Sequence, residues 1–156
     1  GGDVLVDAYA GAGFFGRRLA SRFTTVVGIE AHRAAVEAAR AQASGRERYL
    51  QGDVQEVLPS VLRECAGRPV VLLLDPPAEG LSAGVVRVLQ LEKPDSIAYV
   101  SCDPATQARD IRLLMEAGYL LQGVHPVDMF PQTADVEVVA FLENPLRVSC
   151  PQVSVR

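Results

Sequence analysis

Short runs of β-branched and aliphatic residues alternate with stretches of helical period along most of the chain. The apolar runs predict strands at Val4–Ala8, Thr25–Glu30, Arg48–Gln51, Val70–Asp75, Ser96–Ser101, Leu120–His125 and Glu137–Leu142. The amphipathic stretches between them predict helices over Phe14–Arg22, Arg33–Ala43, Val54–Glu64, Ala83–Leu91 and Thr106–Ala117. Strand–helix–strand order with mostly uninterrupted apolar strands means parallel strands covered on both faces, an α/β fold. The last two strands have no helical pattern between them. A loop from Pro126 to Asp135 joins them, which permits an antiparallel final pair.

Composition narrows the class. With 156 residues, 49% of them apolar, the chain suits one domain around one core. No run approaches the roughly 18 apolar residues of a membrane helix, and no secretory signal is visible, so no membrane partner is expected. The three cysteines are too widely spaced for a disulfide framework or a CxxC metal site. His32 and His125 lack ligand-spaced partners, so no metal is expected. This cysteine usage points to a reducing cytoplasm. A net charge of −4 argues against nucleic-acid binding by bulk charge, so an RNA partner needs a local patch or a further domain. Gly1-Gly2 runs almost at once into a strand with no methionine, as expected of an excised piece, and the tail after Asn144-Pro145 has no period.

The candidate chemistry collects at strand ends. The segment Asp7-Ala8-Tyr9-Ala10-Gly11-Ala12-Gly13-Phe14-Phe15-Gly16 leaves the first strand and opens the first helix. Gly11 and Gly13 let backbone pass close to a ligand, at a helix N-terminus. Glu30 ends the second strand, where a carboxylate can accept both hydroxyls of a ribose, and Asp53 follows the third. Gly11, Gly13 and Gly16 also satisfy GxGxxG, which keeps a dinucleotide site and an NAD-dependent oxidoreductase open. In Asp75-Pro76-Pro77 the prolines stop the ladder and fix the Asp75 carboxylate at the sheet rim. Cys102 leaves the fifth strand just before a helix. It reads either as a nucleophile whose thiolate the helix N-terminus favours, or as a small buried hydrophobe. Cys65 and Cys150 read as structural or incidental, and Arg17, Arg18 and Arg22 as a solvated helix face.

Two segments resemble the S-adenosylmethionine-dependent RNA uracil-C5 methyltransferase family. They are Val100-Ser101-Cys102-Asp103-Pro104-Ala105-Thr106-Gln107-Ala108-Arg109-Asp110 and Pro126-Val127-Asp128-Met129-Phe130-Pro131-Gln132-Thr133-Ala134-Asp135-Val136-Glu137. The resemblance runs from about Val4 to Glu143 and covers only the family's C-terminal catalytic domain. It implies a Rossmann-like class I methyltransferase fold: a seven-stranded, mostly parallel sheet with a reversed last strand and helices on both faces. It makes residues 1–144 the catalytic domain and 145–156 a tail, with the N-terminal RNA-binding domains lying outside the chain. Cys102 would be the nucleophile that adds to C6 of the uracil, and Glu137 the base that removes the C5 proton. Apolar neighbours Val136, Val138 and Val139 would raise the Glu137 pKa toward a useful range.

By the same resemblance, Asp7, Tyr9, Gly11, Gly13, Glu30 and Asp53 would line the cofactor. Asp75 would face both cofactor and target base. Pro76 and Phe130 would lie on the substrate side, where Phe130 either stacks on a flipped base or packs its own loop. A monomer acting on tRNA or rRNA is the expected form. Three positions depart from the family: Ala78-Glu79 where arginine follows the prolines, Asp103 where asparagine follows the cysteine, and Asp135 where histidine precedes the base. Each change makes the site less basic or more acidic. They motivate a second class, a catalytically weakened cofactor- or RNA-binding module. A methyltransferase acting on nitrogen is a further alternative, since Asp-Pro-Pro resembles motifs used there and such enzymes need no cysteine.

Overall fold

The computed structural model describes residues 1–128 and 136–147. It contains all twelve predicted elements, in the predicted order. They are β1 (Gly2–Ala8), α1 (Phe14–Leu19), β2 (Phe23–Glu30), α2 (Arg33–Ala41), β3 (Glu47–Gln51), α3 (Val54–Glu64), β4 (Val70–Leu74), α4 (Ala83–Glu92), β5 (Ser96–Ser101), α5 (Pro104–Glu116), β6 (Leu120–Val127) and β7 (Glu137–Glu143). The sheet has seven strands in the order β3-β2-β1-β4-β5-β7-β6. Strands β1 to β5 pair parallel, and β7 pairs antiparallel with both β5 and β6. The expected antiparallel final pair is present, and β7 inserts between β5 and β6.

Alternation along the central strands sends side chains to two cores. Val4, Val6, Val27, Leu72 and Ile97 pack beneath α3, α4 and α5. Leu5, Val26 and Leu73 face α1 on the other side. These strands are buried on both faces, which is why they read as continuous apolar runs. β7 instead alternates buried and half-buried residues. β6 is open to solvent along almost its whole length, as an edge strand can be. That edge position accommodates Pro126 inside β6, because its missing N–H faces no neighbour.

The boundaries differ from the sequence reading where local chemistry intervenes. β4 stops at Leu74, one residue early, because Pro76 and Pro77 lift Asp75 off the ladder. The first helix ends at Leu19 and its last turn tightens to a 3-10 turn, Ala20–Arg22. α5 starts earlier than predicted, with Pro104 in its first turn and Asp103 as N-cap.

Tyr49 of β3 fills a gap that three glycines leave. A Cβ at Gly28 of β2 would meet its ring at 2.2 Å, one at Gly13 its hydroxyl at 2.6 Å, and one at Gly16 the same hydroxyl at 3.0 Å. Tyr49 is buried against Ala10, Val36 and Ala39, so it joins the glycine turn to α2. Gly28→Ala is therefore expected to destabilise the fold by about 1–3 kcal/mol through overpacking. Urea denaturation compared with the unsubstituted protein measures this.

Candidate active site

The carboxyl ends of the parallel strands share one rim of the sheet. Because β7 runs the other way, it is its first residues that reach this rim. The site builds up there from the glycine turn outward.

Glu30, the last residue of β2, is the clasp of the turn. Its Oε2 accepts the Gly11 N–H at 2.9 Å and its Oε1 the His32 N–H at 2.6 Å. Each oxygen keeps a lone pair for a further donor. Gly11 has φ +53, and a Cβ there would touch nothing within 4 Å, so the turn is open on this side. Gly13, also left-handed at φ +81, faces Tyr49. The openness expected of both glycines is thus found at Gly11, while Gly13 and Gly16 make room for a tyrosine ring. Tyr9, just beyond β1, takes φ +64, a costly conformation for a residue with a side chain. Burial pushes its phenol up to about 12, and the negative charges of Asp53 and Asp110 add to the rise. Its half-buried ring therefore lies in a predominantly acidic field.

Asp7 is fully buried beneath the turn. Its Oδ2 accepts the Gly16 N–H at 2.8 Å, while its Oδ1 is buried without a partner. Burial raises its carboxyl to about 7. The Gly16 bond opposes this rise, and the charges of Asp75 and Glu30 reinforce it. Asp53 caps α3, accepting the Gln55 N–H at 2.8 Å.

Asp75 stands at the tip of β4, ahead of a buried Pro76. Although its side chain reaches solvent, the loss of hydration there raises its carboxyl, and the charge of Glu137 adds to this. The loop after Asp75 is tied to α5. Thr106 Oγ1 donates to the Ala78 carbonyl at 2.9 Å, the Arg109 guanidinium to the Glu79 carbonyl at 2.9 Å, and the Leu81 N–H to Asp110 at 2.7 Å. α5 holds Ala78 and Glu79 through their main chain, so these contacts do not need an arginine there.

Cys102 is exposed, which removes the buried-hydrophobe alternative. It sits at the apex of a short turn. Ser101 Oγ donates to the Asp103 carbonyl and accepts the Asp103 N–H, both at 3.1 Å. Asp103 Oδ1 in turn accepts the N–H groups of Ala105 and Thr106, at 2.8 and 3.0 Å. The helix donors nearest the thiol are thus spent on a cap. Aspartate serves this cap as well as asparagine does, so the departure at 103 preserves the local structure.

The β5·β7 register runs from Ser96 opposite Glu143 to Ser101 opposite Val138. The ladder stops one residue short of Cys102 and Glu137, so the two lie at the same end of the β5·β7 pair, Cys102 in the turn that leaves β5 and Glu137 at the start of β7. The rim therefore gathers Asp7, Tyr9, Gly11, Glu30, Asp53, Asp75, Pro76, Cys102 and Glu137. Phe130 and Asp135 lie outside the described residues, as do Cys150 and the tail from 148 onward. Among the described residues no cluster of His, Cys, Asp and Glu could hold a metal ion, and no helix is long and apolar enough to cross a membrane.

Four side chains that shape the rim have no role assigned from the sequence: Tyr49, Ser101, Gln107 and Asp110, the last three of them inside the segment Val100–Asp110 that carries the resemblance. Asp110 is buried and accepts the Tyr99 hydroxyl at 2.8 Å as well as the Leu81 N–H and the Arg109 guanidinium. Gln107 and Asp110 share the inner face of α5 with Ile111 and Leu114. Polar residues at apolar-phase positions of an amphipathic helix were the available signal.

No family model matches the chain. It is 42% identical over 143 residues to the uncharacterized RNA methyltransferase YljE of Lactococcus lactis, covering 89% of this chain and 31% of that protein. An uncharacterized RNA methyltransferase of Thermotoga maritima is 38% identical over 142 residues, covering 91% and 32%. The chain thus spans about a third of the length of the curated relatives it matches. Among solved structures, the Pyrococcus abyssi tRNA (uracil-54, C5)-methyltransferase in complex with S-adenosyl-L-homocysteine superposes with a TM-score of 0.78 at 35% identity, covering 91% of this chain and 34% of that one. A putative S-adenosylmethionine-dependent methyltransferase from Listeria monocytogenes gives 0.70 at 12% identity, covering 91% and 90%, and shares the fold. The fold is Rossmann-like, as in these methyltransferases, and the resemblance to RNA methyltransferases holds along most of the chain.

The buried carboxyl at Asp7 has a pH signature. In the folded chain it keeps its proton up to about 7, whereas the unfolded chain releases it near 3.8. Its contribution to stability is therefore full at acid pH and lost as pH rises through 7, a loss on the order of 4 kcal/mol. Asp7→Asn keeps the Gly16 acceptor without the ionisation. Urea midpoints of the variant and the unsubstituted protein are expected to lie close together near about pH 4, to diverge in favour of the variant as pH rises to about 7, and to keep that separation above it.

Proposed function

We propose that this chain, a homologue of RNA methyltransferases, binds S-adenosylmethionine and transfers its methyl group to C5 of a uridine in tRNA or rRNA. Residues 1–144 act as the methyltransferase domain of a cytoplasmic protein. The observation that carries this reading is the antiparallel β5·β7 pairing, which brings Glu137 and an exposed Cys102 to the same end of the two strands, on the rim where Glu30 closes the glycine turn.

The rim residues fit the cofactor. Glu30 keeps lone pairs for ribose hydroxyls, Gly11 leaves space for a ligand, and the partnerless Oδ1 of Asp7 lies beneath the turn. Glu30, Asp53 and Asp75 give this region a negative field, which suits a cationic sulfonium and amino group and disfavours the pyrophosphate of a dinucleotide. That field supports the methyltransferase reading over the oxidoreductase that GxGxxG alone allows. Glu30 would hold the ribose, Tyr9, Gly11 and Gly13 the turn along the cofactor, Asp53 the adenine side, and Asp75 the side facing the target base. When bound, S-adenosylmethionine supplies an electrophilic methyl group and leaves as S-adenosylhomocysteine.

The chain's own residues supply the activation. The Cys102 thiolate adds to C6 of the uracil, forming an S–C6 bond and moving the C5–C6 π electrons into an enolate, so that C5 becomes nucleophilic. Once C5 carries the methyl group, Glu137 takes the C5 proton. The C–H electron pair re-forms the C5–C6 double bond and Cys102 departs as thiolate. Asp75 lies near enough to feel the charge of Glu137, which adds to the rise that lost hydration causes in its own carboxyl. Recognition of the RNA beyond the target base would fall to parts of the protein outside this third of its relatives' length.

The complete protein with 5-fluorouridine RNA and S-adenosylmethionine tests the reading. A covalent protein–RNA complex that survives denaturing gels is expected, and Cys102→Ala is expected to abolish both complex and turnover. Glu137→Gln should still form the complex but lose about 100- to 10,000-fold in turnover on ordinary uridine RNA. Methyl transfer by Cys102→Ala at the rate of the unsubstituted protein would instead indicate an enzyme that methylates nitrogen.

A further inference from the structure

Beside the proposed pair, the polar side chain that reaches both strands belongs to neither. Gln107 of α5 is only 2% exposed. Its Nε2 donates to the Tyr99 carbonyl on β5 at 2.9 Å and to the Val138 carbonyl on β7 at 3.0 Å. One amide group thus bridges the two strands, a few residues short of Cys102 on one and next to Glu137 on the other. The β5·β7 ladder ends at Ser101 opposite Val138, so the bridge falls at its last pairs.

A packing role alone does not call for an amide there. The inner face of α5 is otherwise apolar at Ile111 and Leu114, and burying an amide costs free energy unless its hydrogen bonds are made. Both N–H groups of Gln107 are spent on the strands that carry the proposed thiol and base.

We propose that Gln107 is a positioning residue for proton removal: it holds the strand of Glu137 against the strand of Cys102, so that the carboxylate reaches C5 while the thiol is bonded to C6. This rests on the assignment of Cys102 as nucleophile and Glu137 as base. The two groups have different tolerances. An exposed thiol at the apex of a turn follows its target by side-chain rotation. A carboxylate that must take a proton from carbon depends on where its strand lies, and a displacement of about 1 Å costs about 100-fold.

The experiment uses the complete protein with paired RNAs, one carrying uridine and one 5-fluorouridine. Fluorine at C5 leaves no proton for the base to remove, so trapping reports the thiol step while turnover on uridine also requires the base. Gln107→Met is expected to bind S-adenosylhomocysteine and trap 5-fluorouridine RNA within about threefold of the unsubstituted protein, yet to turn over uridine RNA about 10- to 100-fold more slowly. It should also accumulate the covalent complex on ordinary uridine, as Glu137→Gln does. Gln107→Asn, with an amide one methylene short, should recover part of the turnover. If the methionine variant loses S-adenosylhomocysteine binding through misfolding, the asparagine variant is read by the same split. Equal losses in trapping and turnover, or no loss in either, overturn the role of Gln107 and leave the pair intact. Failure of the unsubstituted protein to trap 5-fluorouridine RNA overturns the assignment of the pair, and this role with it.

Discussion

The reversal of β7 between β5 and β6 is the constraint on which the rim depends. In a fully parallel sheet the start of a seventh strand would lie at the opposite edge from the ends of the first five, a strand length from Cys102. Running antiparallel, β7 brings Glu137 to the rim where β1, β2, β4 and β5 end. Its pairing with β5 is exact in register from Ser96 to Ser101, so the placement is set by a ladder of backbone hydrogen bonds and not by a loop. Gln107 adds a bridge at the end where such a ladder frays.

That arrangement crowds carboxylates. Asp75 feels Glu137, and Asp7 feels both Asp75 and Glu30. Asp7 is held in place by one backbone N–H and otherwise by packing, with a second oxygen left unpaired. A folded chain tolerates such groups where the field they make is used. Here the field suits a cation at the glycine turn. The acidic departures Glu79 and Asp103 belong to the same rim, and both are accommodated by local structure: Glu79 by its carbonyl, Asp103 as a helix cap.

α5 links the parts of the rim. From its inner face Asp110 receives Tyr99 and Leu81, Thr106 and Arg109 hold the carbonyls of Ala78 and Glu79, and Gln107 reaches β5 and β7. The loop of Asp75, the turn of Cys102 and the strand of Glu137 are therefore fastened to one rigid element. Loops that carry chemistry gain precision when side chains locked by packing support them.

The elements, their order, and the strand ends where the chemistry gathers could all be read along the chain. These rest on local physics: apolar period, proline's missing donor after Asp75, and the turn chemistry of Gly11 and Gly13. Tertiary structure decided the rest. Gly11 and Gly13 read as glycines that let backbone approach a ligand, and only the fold shows that Gly13 and Gly16 also clear space for Tyr49, a residue from a strand more than thirty positions later. The lost hydration that raises the Asp75 carboxyl was not visible along the chain, because burial depends on the neighbouring strands and not on flanking residues. Gln107 and Asp110 stood inside the segment that carries the resemblance, but their roles were marked only by polar residues on an inward helix face. Their partners lie on other elements, and a hydrogen bond across the fold leaves no mark on the spacing of a single chain.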